Sequence, residues 1–133
     1  MGAWGYKIFE NDDAADFIAE FENEGSIAVV RALDAACAGE DYLEAPEASI
    51  ALAAAAFVAG ANGKADILSD DATAALRSVS DWQALAGFKG KAIKALQCID
   101  RPNSELLELW AEASDADLAG FRNELDRLRA ALR

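Results

Sequence analysis

The sequence contains no histidine. This absence removes Ser-His and Cys-His nucleophile pairs, the commonest general base, and most zinc and iron sites. The chain also lacks the GxxxxGK phosphate loop and the GxGxxG dinucleotide motif. Carboxylates are therefore the titratable groups from which any chemistry would have to be built, and we expect no cofactor.

Cysteines and long apolar runs are scarce. Cys37 and Cys98 stand far apart in predicted helices without a CxxC spacing, so we expect two small buried thiols in a reducing compartment. The start of the sequence has no basic, apolar signal peptide. The longest apolar run, "ASIALAAAAFVAGA", has 14 residues and is too short to span a bilayer. These features predict a cytoplasmic protein with no membrane partner.

Basic residues are few, and their distribution is uneven. The chain has 12 Lys and Arg against 24 Asp and Glu, a net charge of −12. Residues 1–66 hold 13 acids and three bases and so carry −10 of that charge. Such a surface repels phosphate backbones, which makes nucleic acid an unfavourable partner, and it attracts a protein with a basic patch. The alternative is that the acidity only keeps the protein in solution.

What the sequence does contain is helical periodicity. The 133 residues, 53% hydrophobic, predict one domain over 1–133: an all-α, compact bundle of about six helices. Asn11 is a predicted cap of the first helix, and Ser69 and Ser114 are predicted starts of later ones. The segment 48–61 is apolar on every side except Ser49, which is typical of a central helix. Residues 1–10 are predicted to form an extended arm that packs on the bundle.

The acidic stretch near the start supplies the candidate site residues. Asp12, Asp16 and Glu20 are spaced i, i+4, i+8 and would share a helix face, so they are the candidates for binding magnesium or calcium. The other interpretations are a solvated face with helix capping, or a surface for a protein partner. The partner-binding candidates are Trp4, Glu10, Asp12, Asp13, Asp16, Glu20, Glu40, Asp41, Glu44 and Glu47.

Three further features have two interpretations each. Trp4 lies between Gly2 and Gly5, so it is either an aromatic anchor at a binding site or, with Phe9, a plug that packs the arm on the bundle. Glu47 begins an otherwise apolar helix, which predicts partial burial of its carboxylate. The lysine cluster would either bind an anion or pair with acidic helices; its members are Lys89, Lys91 and Lys94.

Three segments in order resemble the domain-of-unknown-function 4259 family: "MGAWG" with Phe9 and "NDDAAD", then "PEASIALAAAAFVA", then "NSELLELWAE". The resemblance covers nearly the whole chain, and it implies a small bacterial helical protein without an assigned activity. Lys7 stands where the family often has glycine, and residues 64–90 match poorly. The signature positions that the resemblance implies are Trp4, Gly5, Phe9, Asn11, Asp12, Ala14, Asp16, Glu47, Ser104, Glu105, Leu109 and Trp110.

Three functions follow as hypotheses. The first is a binding protein, such as an immunity protein or antitoxin, whose acidic surface masks a basic partner. The second is a self-associating structural protein, with a homodimer formed through the alanine-rich or the last leucine-rich helix. The third is a divalent-metal enzyme that uses Asp12, Asp16 and Glu20, with Glu47 as an additional carboxylate.

Overall fold

The structure, a computed structural model, describes residues 5–39 and 41–133. This part of the chain forms seven α-helices: α1 (Asp12–Glu24), α2 (Ser26–Ala38), α3 (Ala45–Ala61), α4 (Asp70–Ser78), α5 (Lys89–Ile99), α6 (Glu105–Ala113) and α7 (Asp115–Ala131). Short 3-10 turns cover Ala65–Ile67 and Trp82–Phe88. The predicted all-α fold is confirmed, with seven helices in the described ranges where about six were expected. An isolated β-bridge pairs Leu43 with Ser104.

Helix α3 forms the centre of the bundle, as its uniform apolarity predicts. Residues 51–59 are all buried, and α3 packs against α1, α2 and α5. The ring of Phe57 stacks on Phe21 with the centroids 4.3 Å apart, and Phe17 and Phe9 approach the same ring at 6.1 Å each. The many alanines of α3 let its neighbours come close, because a methyl group adds little width to the helix.

Residues 5–11 pack on this core through bends and a turn, in which the Glu10 N–H donates to the Lys7 carbonyl at 3.0 Å. Ile8 is buried, and Phe9 contacts Phe57 as predicted. Tyr6 packs edge-on against Trp110, with 6.2 Å between the ring centroids. Trp4 lies outside the described residues.

Two helix starts are capped by side chains from distant parts of the chain. The Asp81 carboxylate accepts from the Ser26 N–H at 3.1 Å and from the Ser26 hydroxyl at 2.7 Å, at the start of α2. The Glu105 carboxylate accepts from the Ala45 N–H at 2.7 Å, at the start of α3. Both contacts satisfy backbone donors that a helix leaves open at its first turn.

The expectation of two free thiols is wrong. Cys37 at the end of α2 and Cys98 in α5 form a disulfide, with their Cα atoms 5.7 Å apart. The two residues are 61 positions apart in sequence, and the packing of α2 against α5 brings them together. The inference of a reducing compartment, which depended on free thiols, therefore loses its support.

No helix in the described part of the chain is both long enough and apolar enough to cross a bilayer.

Candidate binding groove

A groove between α1, α2 and α3 brings two of the predicted acidic candidates together. We call it the α1–α3 groove, and it encloses about 170 Å³. Glu20 of α1 and Glu47 of α3 both line it, and both side chains are exposed. Glu47 is thus not partly buried as expected, because it lies in the first turn of α3, before the buried part of the helix begins. The remaining lining residues are Phe17, Ala28, Arg31, Ala32, Ala35 and Ile50.

The floor of the α1–α3 groove is apolar because the helices turn small or apolar residues toward it. Phe17 is 1% exposed, and Ala28 and Ala32 are also buried. The alanines of α2 leave room between α1 and α3 that larger side chains would fill. The result is an apolar depression with carboxylates at its edge.

Arg31 lies in the same groove and forms ion pairs with two carboxylates of α1. Its guanidinium donates to Glu20 at 3.0 Å and also to Glu24. The hydrogen bond to Glu20, with the charge of Glu24, raises the pKa of Arg31 above its ordinary value. Glu47 makes no ion pair within residues 5–39 and 41–133.

The other acidic candidates near the start either lie in the first turn of α1, are exposed to solvent, or accept a local hydrogen bond. Asp12 and Asp13 occupy the first turn of α1, where negative charge is favourable beside the helix dipole. Asp16 is exposed. The Glu10 carboxylate accepts from the Lys7 N–H at 3.2 Å. Glu40, like Trp4, lies outside the described residues.

Asp41 and Glu44 belong to a different surface, which the sequence did not reveal. The loop before α3 is joined to the start of α6: Leu43 N–H donates to the Asn103 carbonyl, and Asn103 Nδ2 donates to the Asp41 carbonyl. Tyr42, 48% exposed, donates its hydroxyl to Glu108 at 3.1 Å. Partial burial and the nearby carboxylates, Glu108 first, raise the pKa of Tyr42 to about 12. Only the tertiary contact between the loop and α6 creates this acidic surface.

The row of Asp12, Asp16 and Glu20 does not gather into a metal cage. Among the residues that the structure describes, no three Cys, Asp or Glu side chains converge on a point where they could hold a metal ion. Glu20 is instead engaged by Arg31. Of the lysine cluster, Lys91 pairs with Asp34 of α2 at 2.8 Å, in agreement with the acidic-helix interpretation.

Several signature positions of the family have structural roles. Asn11 caps α1, since its Oδ1 accepts from the Ala14 N–H at 2.8 Å. Ala14 is fully buried, and Trp110 is buried against Tyr6. Glu105 caps α3. These residues hold the segment from Tyr6 to Ala14 and the loop before α3 on the bundle, while Asp12, Asp16 and Glu47 face solvent.

The sequence model of the family described as a domain of unknown function (DUF4259) matches residues 2–122. No curated protein and no solved structure matches the chain.

Proposed function

The chain belongs to the DUF4259 family, and we propose that it is a binding protein whose partner is a second protein with a basic surface. The observation that carries this proposal is the presence of Glu20 and Glu47 at the edge of one apolar groove. Lysine and arginine have long apolar stems and charged ends, so they suit an apolar floor with a carboxylate rim. We place the docking surface at the α1–α3 groove.

Arg31 supports this assignment from within the chain. A guanidinium already lies across Glu20 and Glu24, so these carboxylates have a geometry that accepts a base. Glu47 offers a second carboxylate, free of ion pairs within the described ranges. A partner base would contact Glu47 and compete with Arg31 for Glu20.

The charge of the whole region favours the same type of partner. Residues 1–66 carry −10, and a field of this sign accelerates the encounter with a basic protein at low ionic strength. An immunity protein or antitoxin that masks a basic toxin surface fits this profile. A toxin gene beside the gene for this protein would support it. We also propose a cytoplasmic location, which requires the Cys37–Cys98 bond to persist in a reducing compartment.

The test uses a labelled synthetic peptide with lysine and leucine at helical spacing, and its affinity is measured by fluorescence anisotropy. We expect the double variant Glu20→Gln/Glu47→Gln to bind the peptide about fivefold more weakly than the wild type, the size of effect that exposed ion pairs produce. Raising the salt concentration should weaken wild-type binding and slow association.

The matched control is the double variant Glu112→Gln/Asp115→Asn, which removes the same charge from two exposed positions outside the groove. If both double variants weaken binding equally, net charge alone attracts the peptide and the α1–α3 groove is not the docking surface. Light scattering of the free protein at several concentrations separates partner binding from the homodimer hypothesis.

A further inference from the structure

A second depression lies at the other end of α3 and has the opposite charge character. We call it the Trp82 pocket; its volume is about 290 Å³, and its lining is Gly60, Leu68, Thr73, Leu76, Arg77 and Trp82. It shares no lining residue with the α1–α3 groove. Its volume lies at the lower end of the range for small-molecule sites.

The pocket owes its shape to a glycine. A Cβ atom at Gly60 would lie 2.5 Å from Leu68 Cδ1 and 3.4 Å from Leu76 Cδ2. The missing side chain lets both leucines close over the end of α3, where they are buried and form an apolar wall. Trp82, which begins a 3-10 turn, is half-buried and adds an aromatic surface.

Arg77 is the single charged residue of this lining. It is exposed in the last turn of α4, and it makes no ion pair within the residues that the structure describes. The helix dipole explains why a cation is favourable in the last turn of α4. It does not explain the apolar pocket that lies beside Arg77. The Thr73 hydroxyl donates to the Ser69 carbonyl at 2.9 Å, so its proton is engaged, and the Arg77 guanidinium is the charged donor of this lining.

From this combination we propose that the Trp82 pocket binds a small aromatic carboxylate. The ring would lie against Leu68, Leu76 and Trp82, and the carboxylate would accept from the Arg77 guanidinium. A cationic ligand would meet Arg77 with like charge, and a large ligand would exceed the volume. This ligand site goes beyond the proposed function, and either one can fail without the other.

The test is a titration with phenylacetate, followed by the indole N–H signals in a nitrogen–proton correlation spectrum. The chain has three tryptophans, and Trp82→Phe identifies the signal of Trp82. We expect phenylacetate to shift that signal saturably, and the neutral phenylacetamide to bind about fivefold more weakly, as loss of an exposed charge contact predicts.

Two pairs of variants locate the site. Arg77→Gln should lower the affinity for phenylacetate to that for phenylacetamide, whereas Arg122→Gln, which removes an exposed arginine outside the pocket, should leave it unchanged. Gly60→Ala should weaken binding by displacing Leu68, whereas Gly87→Ala has open space around the new methyl group and should not.

Absence of a saturable shift at Trp82, or equal affinity for the acid and the amide, overturns the proposal. So does an unchanged phenylacetate affinity in Arg77→Gln, which alters an exposed side chain and remains informative if Gly60→Ala does not fold.

Discussion

At the scale of single residues, Gly25 shows how one position can depend on a distant one. Gly25 separates α1 from α2 with a φ of 74°, in the left-handed region that favours glycine. A Cβ atom there would lie 2.8 Å from Asp81 Oδ1, the oxygen that accepts from the Ser26 N–H. The absent side chain therefore permits both the sharp turn and the capping contact.

We expect Gly25→Ala to lower the free energy of unfolding by about 2–3 kcal/mol, since it combines a left-handed backbone with displacement of a helix cap. Urea unfolding measures the change. Gly39→Ala is the matched control, because Gly39 has a φ of −89° and open space around it. Equal stability of the two variants would contradict the role assigned to Gly25.

At the scale of elements, helix starts are fixed both locally and from a distance. The local caps Asn11, Ser69 and Ser114 accept from backbone N–H groups three residues on, as their sequence pattern predicts. The caps of α2 and α3 come from Asp81 and Glu105, which lie 55 and 60 positions away. Local patterns cannot reveal a cap of this kind, because the donor and the acceptor meet only in the folded bundle.

Two substitutions of Glu105 should separate the hydrogen-bond acceptor from the negative charge in the α3 cap. We expect Glu105→Ala to reduce the free energy of unfolding by about 1 kcal/mol through loss of the acceptor for the Ala45 N–H. Glu105→Gln keeps an acceptor but removes the charge, so its loss should be smaller.

Thermal and urea unfolding give these values, with Glu112→Ala as the control, since Glu112 is exposed at the far end of α6. A Glu105→Ala variant as stable as that control would show that the contact at Ala45 adds nothing to stability.

At the scale of the whole molecule, two long-range features shape the protein. The disulfide joins α2 to α5 and closes a large loop of chain that contains the central helix α3. The fold also places the carboxylates of residues 1–66 on more than one surface. Glu20 and Glu47 both line the α1–α3 groove. Asp41 and Glu44 lie in the loop between α2 and α3, which contacts the start of α6.

Reduction of the disulfide should lower the free energy of unfolding by about 4 kcal/mol, the size expected when a cross-link closes a loop of this length. Urea unfolding with and without a dithiol reductant measures the difference. The double variant Cys37→Ser/Cys98→Ser should show low stability in both conditions. Two titratable thiols in protein prepared under oxidising conditions would contradict the disulfide.

The sequence by itself determined the helical class, the central position of α3 and the local caps. These features depend on local properties: helical periodicity, the uniform apolarity of residues 51–59 and the polar residues that begin helices. Local properties can be recognised in a sequence before the fold is known. The contact of Phe9 with Phe57 agrees with one of the two interpretations that the sequence allowed for the first residues.

Only the tertiary structure decided which distant residues meet. The Cys37–Cys98 bond, the capping by Asp81 and Glu105, and the shared groove of Glu20 and Glu47 all join segments that are separate in sequence. The Trp82 pocket likewise requires the end of α3 to meet α4 and the turn at Trp82. The reason is physical: burial of the α3 core fixes how the helices pack, and that packing selects which polar and sulfur groups become neighbours.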